Sequence, residues 1–166
     1  MIKPNQVKQA AAEMEYQNEK FRRFLKTHAK EKELDEQFLR LHNELFKNYD
    51  CGSCRNCCKM YHAELSKSDI EKGASYLGIS AEKFIDTYLK RDEYEIGYIS
   101  KNKPCDFLRE DGECLLGECK PQDCKDYPYT NQPERLHSLM SFLEHIEVCP
   151  VAYEICEGLK KEYRFN

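Results

Sequence analysis

The sequence predicts a mainly α-helical fold with one short β-hairpin. Three observations support this class: a long glycine-free stretch at the N-terminus, capped amphipathic segments in the middle, and proline-initiated apolar segments near the C-terminus. A chain of 166 residues suits one compact domain with an appendage. We therefore predict a helical arm over residues 1–49 and a cysteine-rich domain over residues 50–166.

The N-terminal arm has the pattern of amphipathic helices. Residues 4–48 contain no glycine, and their only proline is Pro4, where a first helical turn tolerates it. Apolar positions form two stripes, one with Val7, Ala11, Met14, Phe21, Leu25 and His28 and the other with Leu34, Phe38, Leu41, Leu45 and Tyr49. The phase slips near residues 30–33, which allows a helical hairpin or one long helix with an irregular seam. A supporting helical pair is the favoured interpretation, and a homodimeric coiled coil is the alternative.

Two short helices are predicted after residue 65. Ser66 followed by Asp69 has the spacing of a capping box, and the helix that it starts should end near Gly78. Ser80 has the position of a second N-cap, for a helix over residues 81–89. Both segments repeat apolar residues at helical spacing, so each should bury one face.

The pattern changes to extended structure and then back to helix. Residues that favour strands follow the second short helix: Tyr94, Ile96, Tyr98 and Ile99. Asp111-Gly112 has the composition of a hairpin turn, which would bring Cys105 and Cys114 together. Pro133 should open a helix over residues 134–147, and Pro150 should start a final helix that runs to residue 163.

Ten cysteines distinguish this chain, and four of them lie within eight positions as Cys51-Gly-Ser-Cys54-Arg-Asn-Cys57-Cys58. Free cysteine in a core behaves as a small apolar residue, whereas these four thiols share a polar loop. Thiols packed this closely are typical of metal sites, because zinc and iron both bind thiolate sulfur. The cysteine-rich part is therefore predicted to be a small metal-stabilised domain.

Eight cysteines are enough for two four-thiolate sites. Adjacent Cys57 and Cys58 have diverging side chains, which favours one ligand in each site. The predicted sets are Cys51, Cys54, Cys57 and Cys149 for one site and Cys58, Cys105, Cys114 and Cys124 for the other. Cys119 and Cys156 are then spare. Three cysteines at two-residue intervals are similar to iron-sulfur ligands, but Cys-x-x-Cys is also typical of zinc knuckles, so the cofactor is zinc or an iron-sulfur cluster.

Other classes of function find little support in the sequence. A formal net charge of -4 argues against nucleic acid as the main partner. The chain shows neither a leader-like start nor an apolar run of the roughly 18 residues that a membrane span needs, so we predict a cytoplasmic protein with reduced thiols and no membrane partner. Phosphate-binding loops and nucleophile elbows are absent, and no catalytic residue is assigned. A protein partner is expected.

The cysteine pattern resembles the YkgJ-type zinc- or iron-chelating cysteine-cluster family, whose hallmark is Cys-x-x-Cys-x-x-Cys-Cys. The resemblance covers about Cys51 to Pro150 and includes four later segments, Pro104-Cys105-Asp-Phe-Leu108, Gly112-Glu-Cys114, Lys120-Pro121-Gln-Asp-Cys124-Lys125-Asp-Tyr127-Pro128 and Cys149-Pro150. Two lysines, Lys120 and Lys125, stand where the family usually has arginine. The resemblance implies metal chelation and no particular reaction.

Four roles remain open at this level. Structural zinc would leave function to an interaction surface, whereas an iron-sulfur cluster would allow electron transfer or service to a partner enzyme. A flagellin lysine methylase is similar to this family in its cysteine cluster, so a methylase-like enzyme or an enzyme accessory is a further alternative. Metal storage or delivery is the fourth, and it would require ions that exchange readily.

Overall fold

The computed structural model describes residues 1–93 and 97–165, and it confirms a mainly helical fold with a small antiparallel sheet. In chain order the helices are α1 Val7–Glu13, α2 Glu15–His28, α3 Glu31–Phe46, α4 Cys51–Cys54, α5 Asn56–Met60, α6 Lys67–Leu77, α7 Ala81–Tyr88, α8 Gln122–Asp126, α9 Leu139–Ile146 and α10 Pro150–Glu162. The strands are β1 Glu64–Leu65, β2 Leu89–Arg91 and β3 Tyr98–Ser100. Tyr94 and Ile96, predicted to be extended, lie outside the described residues.

The chain divides into two compact units. Residues 1–50 and 128–165 form the helical unit, and Cys51–Tyr127 form the cysteine unit. The helical unit is therefore discontinuous in sequence, with the whole cysteine unit between its two parts. Within the described residues, no helix has both the length and the apolar character needed to cross a membrane.

In the helical unit, the predicted arm packs on the last two helices. Helix α3 lies against α10, and α2 lies against α9. Most residues of the two apolar stripes are buried there, including Val7, Phe21, Leu25, Leu34 and Phe38. The chain leaves the helical conformation at Ala29 and Lys30, which are both extended. Residues 4–48 therefore do not form one continuous helix, and the break falls at the phase slip of the pattern.

The helix predicted from residue 134 begins later, at Leu139. The backbone amides of Glu134 and Arg135 donate to the two carboxylate oxygens of Asp35 on α3, at 3.0 and 2.8 Å. Glu134 has a left-handed φ of 62°, which is incompatible with the first turn of a helix. The predicted start was wrong because Glu134 has this left-handed backbone, and its amide and that of Arg135 bind a residue remote in sequence. The final helix, predicted from Pro150, is confirmed as α10.

In the cysteine unit, short elements surround a small apolar core. Helix α6 has the predicted capping box: Ser66 accepts from the Asp69 amide at 3.1 Å, and Asp69 accepts from the Ser66 amide at 3.0 Å. Gly78 ends α6 in the left-handed conformation, and Ser80 caps α7. Helix α7 ends one residue before the predicted end, because Leu89 begins β2.

The three strands form an antiparallel sheet in the order β1-β3-β2. In the middle strand, Ile99 pairs with Glu64 on one side and with Lys90 on the other. The sheet and helices α6 and α7 bury a common set of apolar side chains, Ala63, Leu65, Ile70, Ala74, Phe84, Leu89, Phe107 and Leu116. Several cysteines pack at the edge of this core, so the sheet supports the thiols described below.

The predicted turn at Asp111-Gly112 is confirmed. Leu108 and Cys114 form an antiparallel bridge, and the Leu115 amide donates to the Phe107 carbonyl at 2.7 Å. Gly112 has a φ of 85°, a conformation in which a side chain would be strained. The turn therefore joins two short extended segments and sets the position of Cys114.

Candidate metal centre

Four thiols of the cysteine unit line one small cavity, with a volume of about 20 Å³. They are the four residues predicted as one ligand set, Cys58, Cys105, Cys114 and Cys124. Phe107, Leu108 and Pro121 form apolar parts of the wall, and Arg55 and Lys120 contribute its two cationic side chains. Segments remote in sequence therefore bring four sulfur donors and two cations to one place.

Each thiol is carried by a different local structure. Cys58 lies in α5, and the Cys105 amide donates to its carbonyl at 2.7 Å, which joins the cluster to the segment that precedes the hairpin. Cys114 lies on the second side of the hairpin, at the bridge with Leu108. Cys124 lies in the middle of α8. The cavity thus depends on the hairpin and on two helices of five residues each.

Arg55 separates the two short helices of the cluster. Its φ of 57° is left-handed, a conformation uncommon for a residue with a side chain. Its amide donates to the Cys51 carbonyl at 3.3 Å, and its own carbonyl accepts from the Lys59 amide at 3.2 Å. One residue therefore ends α4 and begins α5, which redirects the chain between Cys54 and Cys57.

Burial and local charges set different protonation tendencies for the thiols. Burial raises the pKa of Cys124 to about 12 and also raises the pKa of Cys105. The hydrogen bond from Cys57 lowers the pKa of Cys58 to about 6, against an opposing effect of burial and with help from Lys120 and Arg55. The same hydrogen bond, with burial, raises the pKa of Cys57. In this adjacent pair, Cys58 is the favoured thiolate and Cys57 the donor.

The donor set and the size of the cavity fit a single thiolate-bound ion. Zinc and ferrous iron both accept four thiolates. A cavity volume of about 10 to 15 Å³ is enough for one sphere the size of a water molecule. In the described part of the chain, residues 1–93 and 97–165, no three His, Cys, Asp or Glu side chains are already arranged to hold a metal. Binding an ion thus requires the four sulfurs to move closer together.

The other predicted ligand set is distributed over both units. Cys51 is exposed in α4, and Cys54 and Cys57 are partly buried in or beside the two cluster helices. Cys149 belongs to the helical unit, where it is buried at the N-cap of α10. The grouping of these four thiols as one site stays a prediction.

The two cysteines predicted to be spare do not line the thiol cavity. Cys119 ends a short 3-10 helix, Gly117–Cys119, and packs against the core of the cysteine unit. Cys156 lies in α10 with 2% of its surface exposed, and burial raises its pKa to about 12. None of the ten cysteines forms a disulfide.

The two cations of the cavity wall, Arg55 and Lys120, have no role that the sequence predicts. Arg55 lies inside the cluster motif, and its guanidinium binds the Glu113 carboxylate at 3.2 Å. Lys120 lies between Cys119 and Pro121, in the segment that leads to Cys124. The available signal was a basic residue directly beside the cysteine pattern in both segments.

One family model matches the part of the chain that contains the cysteine pattern. The model named CxxCxxCC, described as "Putative zinc- or iron-chelating domain", matches residues 50–150. The chain belongs to this family. The match confirms the resemblance from Cys51 to Pro150, and the family description supports metal binding by the chain, with both zinc and iron named. Among curated proteins and solved structures, none matches the chain.

Proposed function

We propose that the cysteine unit binds a single zinc ion through Cys58, Cys105, Cys114 and Cys124, and that this ion has a structural role. The observation that carries the proposal is the convergence of these four thiols on one cavity of about 20 Å³. Zinc accepts four thiolates at tetrahedral positions without any redox change. Ferrous iron in the same ligands is the alternative ion, in line with the family description.

A structural role follows from the composition of the cysteine unit. Helices α4, α5 and α8 have four or five residues, too few to be stable without tertiary contacts. They carry or adjoin the proposed ligands, so a bound ion would hold together segments that have little apolar surface to bury. Small metallodomains commonly obtain their folding free energy in this way.

A four-thiolate site differs from a catalytic zinc site in having no open coordination position. Catalytic zinc keeps one coordination position for water or substrate, whereas four thiolates occupy every position of a tetrahedral ion. We therefore infer that the metal shapes a surface for a protein partner in the cytoplasm. The second predicted set, Cys51, Cys54, Cys57 and Cys149, and an iron-sulfur cofactor stay predictions that this proposal does not use.

Metal and sulfide analysis of protein purified without oxygen tests this proposal. We expect zinc without acid-labile sulfide, and one ion fewer per chain in both Cys58→Ser and Cys124→Ser. Cys119→Ser is the matched control and should keep the full metal content, because Cys119 does not line the thiol cavity and is not a proposed ligand.

Three results would contradict the proposal. Iron with stoichiometric sulfide would indicate a cluster and favour the redox or enzyme-accessory roles. Equal metal loss in Cys119→Ser would show that the chosen ligand set is wrong. Loss of one and the same ion in Cys57→Ser and Cys58→Ser would overturn the division of the adjacent thiols between two sites.

A further inference from the structure

We propose that Arg55 and Lys120 are the charge partners of the metal centre, and that their two positive charges determine how firmly it holds a divalent ion. This inference rests on the proposed function, because it assigns roles to side chains around the same four thiols. Both residues line the thiol cavity. Neither is a metal ligand, since protonated lysine and arginine have no lone pair to donate.

A loaded site of this kind carries a net negative charge. Four thiolates around one divalent ion leave about two units of negative charge. Charge placed among buried apolar groups is unfavourable unless opposite charges or hydrogen-bond donors lie close to it. Phe107, Leu108 and Pro121 supply such apolar wall here. Arg55 and Lys120 add about two units of positive charge, so the loaded site is close to neutral.

Arg55 is built into the wall rather than attached to the surface. Only 12% of its side chain is exposed, and its guanidinium is held by Glu113 on the hairpin at 3.2 Å. Its Nε atom is buried, with no hydrogen-bond partner within the described residues. A buried N–H without an acceptor is costly, and a thiolate sulfur is an acceptor of suitable charge at this wall.

Glu113 does not cancel the effect of Arg55. Its side chain is 67% exposed, so water screens its charge. The Glu113 carboxylate therefore orients the guanidinium through its Nη2 atom, and the Nε–H group stays available to a thiolate of the cavity. We assign Glu113 a positioning role through Arg55.

Lys120 acts on the thiols from another segment. It is partly buried between Cys119 and Pro121, and it lines the same cavity as Cys58 and Cys124. Arg55 and Lys120 thus reach the same cavity from two different segments of the chain.

Two nearby basic residues offer matched controls. Arg109 lies on the hairpin, is 56% exposed and binds Asp111 at 2.7 Å. Lys125 lies in α8 and donates to the Glu118 carbonyl at 3.1 Å. Neither lines the thiol cavity. Removal of either charge changes the net charge of the protein by the same amount as removal of Arg55 or Lys120.

The test measures zinc transfer from intact, zinc-loaded protein to a chromogenic chelator. Arg55→Met and Lys120→Met should each weaken zinc retention about 10-fold, the size typical of groups that surround metal ligands. Arg55→Lys and Lys120→Arg keep the charge and should stay near wild type. Arg109→Met and Lys125→Met should behave as wild type. Cobalt substitution, followed by the thiolate-to-cobalt absorption band, checks that each variant keeps the four-thiolate ligand set.

Each outcome has a defined meaning. Wild-type retention in both Arg55→Met and Lys120→Met would overturn the inference, as would equal losses in the two control variants. If Arg55→Lys and Lys120→Arg lose zinc as readily as the Met variants, the shape of the side chain matters rather than its charge, and the inference is overturned. If Arg55→Met does not fold, Lys120→Met and Lys120→Arg decide the matter. Failure of the wild type to bind any metal would instead contradict the proposed function itself.

Discussion

The helical unit and the cysteine unit bury very different groups. In the helical unit, α2, α3 and α10 have 14, 16 and 13 residues, and aromatic and aliphatic side chains such as Phe21, Phe38 and Leu159 are almost fully buried. In the cysteine unit, the helices that carry the thiols have four or five residues and the strands two or three. The first unit has enough apolar burial to stabilise its own helices, whereas the second has a smaller apolar core with thiols grouped beside it on short elements.

Metal removal should give the largest difference between the two units. With a strong chelator, residues 51–127 should lose most of their protection from hydrogen exchange, while the helical unit keeps it. The physical reason is that a structural zinc supplies on the order of 10 kcal/mol of binding free energy to a small domain. Hydrogen exchange with mass spectrometry on peptides from α3 and from the hairpin measures both units in one sample.

Readdition of zinc is the control for this experiment, and it should restore protection of the hairpin peptides. Equal loss of protection in both units would show that their stabilities are coupled. Unchanged protection in the hairpin peptides after complete metal loss would show that the small apolar core is sufficient for the cysteine unit.

A cavity in the helical core should give the opposite result. Phe38 is fully buried, and its ring contacts that of Phe142 with centroids 4.8 Å apart. Phe38→Ala should reduce the free energy of unfolding of the helical unit by about 3 to 5 kcal/mol. Metal content should stay at the wild-type level, and Leu39→Ala, at an exposed position of the same helix, should have little effect. A drop in metal content in Phe38→Ala would contradict the independence of the two kinds of stabilisation.

Alkaline pH should lower the unfolding free energy of the helical unit through Cys156, by less than Phe38→Ala does. The pKa of this thiol is about 12 in the folded chain, raised by burial, against about 8.5 in an unfolded one. Between these values the unfolded state releases a proton that the folded state keeps, so stability falls as pH rises. From pH 8.5 to 10 the loss should be about 2 kcal/mol.

Denaturant unfolding of wild type and Cys156→Ala at both pH values measures this effect. The variant lacks the thiol, so its unfolding free energy should change less between pH 8.5 and 10 than that of the wild type. Parallel pH dependence in the two proteins would mean that other groups, such as tyrosines, account for the change.

Sequence reasoning succeeded where local interactions decide the structure. The caps at Ser66 and Ser80 and the start of α10 at Pro150 depend on a few neighbouring residues, and all three were predicted. The late start of α9 follows the left-handed backbone of Glu134, whose amide binds Asp35 about one hundred residues away, and no local pattern shows it. Strands of two or three residues, such as β1, also escape prediction, because their pairing with β3 is remote in sequence.

The same distinction applies to the candidate site. Cys58, Cys105, Cys114 and Cys124 could be grouped from the divergence of adjacent side chains and from the hairpin turn, and the structure places them around one cavity. The contribution of Arg55 and Lys120 could not be predicted, because the direction of a long basic side chain depends on the packed fold. The left-handed backbone of Arg55 has no signal in its residue type either.

The interrupted order of the helical unit has a consequence for synthesis on the ribosome. Helices α1 to α3 emerge first, but α9 and α10, on which they pack, emerge only after residues 51–127. At about 5 to 20 residues per second, the intervening segment takes roughly 4 to 15 seconds to make. During that interval, the N-terminal helices have no final packing partner, while the whole cysteine segment becomes available. Metal loading can therefore precede completion of the helical core in the newly made chain.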